Sequence, residues 1–325
     1  MNNLFIGIMS GTSRDSLDAC LVDFTDHFQI VAAETLDFNA SYKTSTEISE
    51  INNEITNKSI EIVKNLLKKS SLKESDVVGI GFSGQTISHD DSHSLQAGDP
   101  KKIAESTRIN VFSDFRNKNI AEGGRGAPLI PDFHQYIFSE IGKRKLIINI
   151  GGISNGTYLD GEKIVSASDI GPGNCLLDLT MTSLKLGDYD KDGELASSGT
   201  INHSIKEELM SNFRNMQYPR ADDITAYTDP FIKKFKEYKE TPINELLRTL
   251  VEVTAEKIKE YCEHCNMPDE IIFHGGGTLN KTLMESIAKK TRDDIQTTDH
   301  IVPSKYMESS AFAYLAYAGK GVLFK

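Results

Sequence analysis

The chain has 325 residues, a hydrophobic fraction of 38%, a charged fraction of 26% and a formal net charge of −11. That length predicts two domains, each able to bury a core without a disulfide or metal staple. The acidic balance argues against nucleic acid and anionic membrane surfaces as partners, and no run approaches the eighteen apolar residues of a membrane span.

The opening MNNLFIGIMSGTS lacks the basic start and long apolar stretch of a secretory leader, so a cytoplasmic protein is expected. Leu4–Met9 reads as a strand, Ser10–Leu17 as a polar turn and Ala19–Phe24 as a returning strand. Ile48, Ile51, Ile55, Ile62 and Leu66 then recur at helical spacing. At mid-chain the hairpin pattern repeats: strand Lys145–Ile150, glycine turn Gly151–Asn155, partner strand Gly156–Leu159. An extended KIVSASDI and a helix over about Cys175–Lys185 follow, and Arg214–Asp229 reads as a polar excursion. Leu246–Tyr261 is amphipathic, with Leu247, Leu250, Val251, Thr254 and Ile258 on one face. A short strand, Glu270–Phe273, feeds His274-Gly275-Gly276-Gly277 and a helix from about Lys281. The Ala-rich Met307–Ala318 closes the pattern as a buried helix. Strands alternating with helices give an α/β class. Two hairpin-led halves predict a duplicated fold, with one lobe over 1–142 that the C-terminal helix could complete, another over 143–325, and a cleft between them.

Two tempting motifs do not carry function. Gly79-Ile80-Gly81-Phe82-Ser83-Gly84 satisfies GxGxxG, but QTISHDDSHS follows without the helical periodicity that a dinucleotide site requires. Cys262 and Cys265 form a CxxC around His264; with no second ligand pair, a reduced helix end is expected rather than zinc. There is no GxxxxGK[ST]. What does recur is a glycine-rich turn at a strand end: SGTS at 10–13, NIGGISN at 149–155, DIGPGN at 169–174 and HGGGTLN at 274–280. Glycine lets backbone amides approach a phosphate, and Ser or Thr hydroxyls add donors. Four such turns in a duplicated α/β chain point to a nucleotide held between two lobes.

GIMSGTSRDSLDACLVDF, SGQTISHD, QAGDP, SDFRNKNIAEGGRGAPLIPDFHQ, NIGGISNGTYL, DIGPGNCLLD, YDKDGELASSG, HGGGTLN and MESSAFAYLA resemble, in order, the signature blocks of the anhydro-N-acetylmuramic acid kinase family. The resemblance spans Gly7 to Ala316 and implies a duplicated actin/hexokinase-like (ribonuclease H-like) kinase fold. The implied reaction joins ATP, water and 1,6-anhydro-N-acetylmuramic acid to give N-acetylmuramic acid 6-phosphate and ADP, in murein recycling. Gly11, Thr12, Ser13, Arg14, Asp15, Ser16, Leu17 and Asp18 match the first phosphate loop. Gly151, Gly152, Gly171, Gly173 and Asn174 match the second set of ATP-binding turns, and Gly275, Gly276, Gly277 and Asn280 the adenosine loop. Asp169 matches the catalytic carboxylate, the base for water attacking the anomeric carbon. Gln85, Thr86, Arg116 and Glu308 match the sugar site, where Arg116 would pair with the lactyl carboxylate. Mg²⁺ is expected with ATP, held through water by Asp15, Asp18 or Asp169 rather than in a dedicated metal site. A homodimer is also implied.

The chain departs from the family pattern at Arg14 and Ser16, where Leu and Gly are usual, at Ser83 for His, and at Asn119 for Asp. The PKSTGRE-like stretch is not recognisable in Arg214–Asp229, and the chain ends soon after Lys320. Two other readings stand beside the kinase: an enzyme for another anhydrosugar, and a nucleotide-binding sensor without turnover.

Overall fold

The computed structural model describes residues 3–11, 14–89, 92–124, 126–214 and 216–325. In chain order the first elements are β1 (Leu4–Ser10), β2 (Ser16–Asp23), β3 (Gln29–Asp37), α1 (Ala40–Thr44), α2 (Ile48–Ser70), β4 (Val77–Phe82), β5 (Gln85–His89), β6 (Ser94–Ala97), α3 (Pro100–Thr107), β7 (Val111–Ser113), α4 (Phe115–Ala121) and α5 (Pro131–Phe138). There follow β8 (Arg144–Ile150), β9 (Ile153–Asp160), β10 (Lys163–Pro172), α6 (Cys175–Ser183), α7 (Glu194–Ser197), α8 (His203–Asn212), α9 (Thr225–Tyr238) and α10 (Ile243–His264). The chain closes with β11 (Glu270–His274), α11 (Lys281–Lys290), β12 (Gln296–Thr297), α12 (Met307–Tyr317) and β13 (Val322–Phe324). Contacts divide it into two compact units, Met1–Ile137 with Lys305–Lys325, and Phe138–Ser304.

Each unit is built on the same sheet. The first has the strand order β13-β7-β4-β1-β2-β3 and the second β10-β9-β8-β11-β12. In the first, β2 is antiparallel to β1 and β3, while β4 runs parallel to β1 and β7 parallel to β4. In the second, β9 is antiparallel to β8 and β10, while β11 runs parallel to β8 and β12 parallel to β11. The hairpin repeat seen in the sequence is therefore the visible part of a duplicated five-strand order.

The strands read as apolar runs because both faces of each sheet are covered. Leu4, Ile6, Ile8, Leu17, Ala19 and Leu21 join the core under α2, whereas Phe5, Cys20 and Val22 pack with Ala313 and Ala316 of α12. Helix α12 comes so close to β1 and β4 that only glycine fits beneath it. A Cβ on Gly7 would lie 1.8 Å from the Ser309 carbonyl oxygen, and one on Gly81 2.0 Å from that of Phe312. Gly7→Ala should thus force helix and sheet apart and destabilise the chain by about 2–3 kcal/mol, read as a lowered midpoint in urea.

In the second unit, α10 packs its buried face (Leu246, Leu247, Leu250, Val251, Val253, Ile258, Tyr261) into the core. Cys262 near its end and Cys265 at its cap are both free, buried thiols in that core, and burial pushes each up to about 12. Among the described residues no group of three or more His, Cys, Asp or Glu side chains could hold a metal ion, and no helix is long and apolar enough to cross a membrane. The glycine-rich Gly79–Gly84 lies on β4 and the turn into β5, a strand rather than a helix.

Candidate active site

In both sheets the glycine turns gather at the carboxyl ends of the parallel strands, the edge where open α/β sheets bind ligands. In the first unit these ends are Ser10–Gly11 after β1, Ser83–Gln85 after β4 and Asp114–Arg116 after β7. In the second they are Gly151–Gly152 after β8, Asp169–Asn174 at the end of β10 and Gly275–Gly277 after β11.

In the first unit's loop, Thr12 and Ser13 lie outside the described residues. The Arg14 amide donates to the Gly11 carbonyl at 3.1 Å. Arg14 takes the left-handed conformation (φ 55). Its guanidinium donates to the Ser45 carbonyl at 2.8 Å and lies 5.8 Å from the Tyr42 ring centre. Ser16 needs no glycine-like freedom: it opens β2 opposite Asp37. Leu17 turns its side chain into the core. Asp15 is exposed and ion-paired with Lys43 at 2.6 Å.

Asp18 accepts from the Thr35 hydroxyl at 2.6 Å, from Ser16 at 3.4 Å, and has Lys305 at 4.0 Å. Burial still lifts its carboxyl above the ordinary range. Gln85, matched to the sugar site, is wholly buried. Its side-chain oxygen accepts from Ser10 at 2.7 Å and Tyr42 at 3.3 Å, and its nitrogen donates to the Gly11 carbonyl at 3.2 Å. These bonds make it a tether for the start of the loop. Thr86 is half-buried on β5.

Arg116, on α4, donates to the Gly126 carbonyl at 3.0 Å. Glu308, in the first turn of α12, is half-buried and has no hydrogen bond among the described residues. Burial raises its pKa, the charge of Arg116 opposes that rise and Asp18 adds to it. Burial likewise works against the charge of Arg116, and Glu308 supports it. The other two divergent positions, Ser83 and Asn119, have local partners. The Ser83 hydroxyl donates to the Gly84 carbonyl at 2.8 Å, and the Asn119 side chain accepts from the Gly126 amide at 2.8 Å.

In the second unit, two glycine segments are tied to each other. The amides of Gly173 and Cys175 donate to the Gly152 carbonyl at 2.9 and 3.1 Å, and that of Asn174 to the Gly151 carbonyl at 2.8 Å. The approach leaves no room for a side chain at Gly173. The Asn174 side chain caps nothing in α6. Gly171 backs onto the Lys257 side chain of α10, 2.9 Å from where a Cβ would stand. Gly275 (φ +90) and Gly277 press on Asn149 and Ile150 at the end of β8, whereas Gly276 faces open space. Asn280 caps α11 by accepting from the Leu283 amide at 2.9 Å. Beside this loop lies a cavity of about 360 Å³, lined among others by Gly193, Arg248, Lys281, Thr282 and Glu285.

Asp169 is half-buried near the end of β10. Its Oδ2 accepts from the Asp222 amide at 2.7 Å, and Oδ1 has no hydrogen bond among the described residues. Burial pushes its carboxyl up to about 6; the Asp222 amide and the Arg220 charge oppose this, and the Asp222 carboxylate adds to it. The residues that set Asp169, namely Ser168, Arg220 and Asp222, were not singled out from the sequence. Two of them fall in the stretch read as an excursion, whose end from Thr225 is the start of α9.

A family model described as anhydro-N-acetylmuramic acid kinase matches residues 3–320. Among curated relatives, proteins named anhydro-N-acetylmuramic acid kinase from Shewanella sp. (strain MR-4) and Shewanella frigidimarina (strain NCIMB 400) are each 35% identical over 96% of this chain and 90% of theirs. One from Shewanella baltica (strain OS155 / ATCC BAA-1091) is 34% identical over 97% and 91%. Among solved structures, component A of the Acidaminococcus fermentans (R)-2-hydroxyglutaryl-CoA dehydratase is 12% identical, with a TM-score of 0.54 over 98% of this chain and 99% of the other. The activator of the Clostridium difficile 2-hydroxyisocaproyl-CoA dehydratase, with bound ADPNP, is 13% identical, with a TM-score of 0.51 over 98% and 96%. These structural likenesses bear on fold alone, and with the duplicated sheet they agree with the actin/hexokinase-like architecture. From the match over nearly its whole length, the chain belongs to the anhydro-N-acetylmuramic acid kinase family.

Proposed function

We propose that the chain uses ATP to phosphorylate 1,6-anhydro-N-acetylmuramic acid while water opens its anhydro bridge, yielding N-acetylmuramic acid 6-phosphate and ADP. The observation that carries this reading is Asp169, with one carboxylate oxygen fixed by a backbone amide and the other without a hydrogen bond among the described residues. With its pKa near 6 it is mostly ionised at neutral pH, yet basic enough to take a proton from water. Water attacks the anomeric carbon and gives its proton to Asp169. The bond from that carbon to O6 breaks, and O6 takes the γ-phosphoryl group.

In this reading the Gly151–Gly152 turn and the loop from Gly11 to Asp18 are the phosphate-binding loops of their respective units. Gly173 and Asn174 hold that turn through their amides, Gly171 precedes them on β10, and the Asn174 side chain, which caps nothing in α6, adds a donor. The adenosine would lie against Gly275–Gly277 and Asn280, where the neighbouring cavity offers room. Mg²⁺, when bound with ATP, would supply charge neutralisation for the transferred phosphoryl group. Separate carboxylates without a cage fit an ion that arrives with ATP and keeps its waters. Asp15 is already ion-paired with Lys43, which leaves Asp18 and Asp169 as the acidic candidates. Arg116, Glu308 and Thr86 make up the sugar side, and Gln85, its side chain bound to Ser10, Tyr42 and Gly11, tethers the loop beside them rather than meeting the sugar. A homodimer in the cytoplasm belongs to the same proposal, tested by sedimentation and fractionation.

ADP release from the purified chain, measured with a panel of anhydrosugars, tests the reading. Release with anhydro-N-acetylmuramic acid alone supports it; preference for another anhydrosugar, or no release with any, replaces it. Glu308→Gln provides a separate check. Because burial raises the Glu308 pKa, folding favours the protonated form, and that contribution fades as pH rises. The variant should therefore melt at the same or higher temperature at pH 8, while kcat/KM for the sugar falls about tenfold or more. Unchanged kcat/KM would remove Glu308 from the sugar site.

A further inference from the structure

β10 is an edge strand of its sheet, and the segment around Tyr218–Asp222 crosses it at Asp169. The Asp169 amide donates to the Arg220 carbonyl at 3.0 Å, and the Arg220 amide donates to the Ser168 hydroxyl at 3.0 Å. These bonds bracket the one that joins the Asp222 amide to Asp169 Oδ2. The segment is held by the Arg220 side chain, which uses most of its fork. Nε donates to the Asp222 carboxylate, Nη1 to the Met216 carbonyl at 3.3 Å, and Nη2 to the Ile170 carbonyl and the Tyr227 hydroxyl. The guanidinium also lies over the Tyr218 ring, 4.7 Å from its centre. Tyr227 donates to the same Asp222 carboxylate.

We propose that Arg220 is a positioning residue for the reaction: by clamping this segment onto β10 it fixes the Asp222 amide on Oδ2 of Asp169 and reserves Oδ1 for the attacking water. The proposal rests on Asp169 as the base. A lysine could not replace the clamp, because a single ammonium lacks the planar fork that reaches acceptors on both β10 and the segment. The charged groups acting on Asp169 are Asp222 and Arg220. Its neighbour across the sheet, Asn155 of β9, is neutral. From α10, the Lys257 amine is bound to Glu260.

The test compares Arg220→Ala, Arg220→Lys and Ser168→Ala with the wild type in kcat, KM for ATP and the pH profile of kcat/KM. Arg220→Ala should lower kcat by about 10²-fold, as expected for a misplaced catalytic group, with KM for ATP changed less than about threefold. The acid limb should move up in pH, because Asp222 is left without its cation beside Asp169. Arg220→Lys should recover the charge effect on the limb but little of kcat, and Ser168→Ala should show a smaller loss in the same direction. If Arg220→Ala does not fold, Arg220→Lys and Ser168→Ala decide. A full-rate Arg220→Lys, or an unmoved acid limb in a folded Arg220→Ala, overturns the proposal. Asp169→Asn separates the two levels: if it retains turnover, the base assignment itself fails, whereas if it is inactive and the Arg220 variants are normal, only the clamp fails.

Discussion

Asp169→Asn is expected to lower sugar-dependent ADP release by about 10²–10⁴-fold, to retain nucleotide binding, and to melt at a higher temperature than the wild type at pH 8. Activity falls because an amide cannot accept the proton of the attacking water. Stability rises for a reason that is readable from the sign of the shift. The carboxyl lies at about 6 in the folded chain against an ordinary 3.8, so the folded state holds its proton more tightly than the unfolded state. The stability this confers is present below pH 4 and lost as pH climbs through 6, a difference of at most about 3 kcal/mol at 1.36 kcal/mol per unit. Asparagine never ionises and its oxygen can still accept from the Asp222 amide, so the gap between variant and wild type should open as pH rises. Calorimetry at pH 5 and 8 beside the ADP assay reads both effects. A variant that melts lower at pH 8 than at pH 5, relative to wild type, would contradict the buried-charge account. In the wild type, kcat/KM should fall about tenfold per pH unit below 6.

Gly173→Ala is the second large effect. The Cβ it introduces would stand 2.2 Å from the Gly151 carbonyl oxygen and 3.1 Å from the Ser154 hydroxyl. The carbonyl cannot yield cheaply, since it belongs to the β8–β9 turn and takes the Asn174 amide. The two turns must separate, so we expect ATP affinity to drop at least tenfold, alongside about 1–3 kcal/mol of stability. Gly276→Ala is the control for stability, because its Cβ would meet nothing within 4 Å, and its melting temperature should be unchanged. Calorimetric titration with ATP and thermal melts measure the pair. Wild-type affinity in Gly173→Ala would show that the interlocked turns do not shape the nucleotide site.

The parts of this fold that the sequence revealed are those where both faces of a strand are buried. β1, β2, β8 and β9 are apolar runs separated by glycine or polar turns, and they stand out against the rest of the chain. β3 was missed because it lies at a sheet edge, where half-buried positions break the alternation. The turns came out shorter than their composition suggested: β2 already begins at Ser16, and only Gly151 and Gly152 separate β8 from β9. The glycines and Asp169 were legible through their motifs. The setting of Asp169 was not, because the Asp222 amide reaches it across 53 positions, from a segment with no period to betray its course. Gln85 shows the opposite limit: a motif can mark a residue without saying that its side chain is spent on Ser10, Tyr42 and Gly11.

The proposed chemistry has one direct signature, the origin of the oxygen at the anomeric carbon. Purified chain, ATP and anhydro-N-acetylmuramic acid should be reacted briefly in ¹⁸O-labelled water and the sugar product weighed by mass spectrometry. The account predicts one phosphoryl group on O6 and one solvent oxygen at the anomeric carbon, formed in step with ADP. A phosphorylated product that keeps its anhydro bridge, or ADP released without any sugar product, would contradict it.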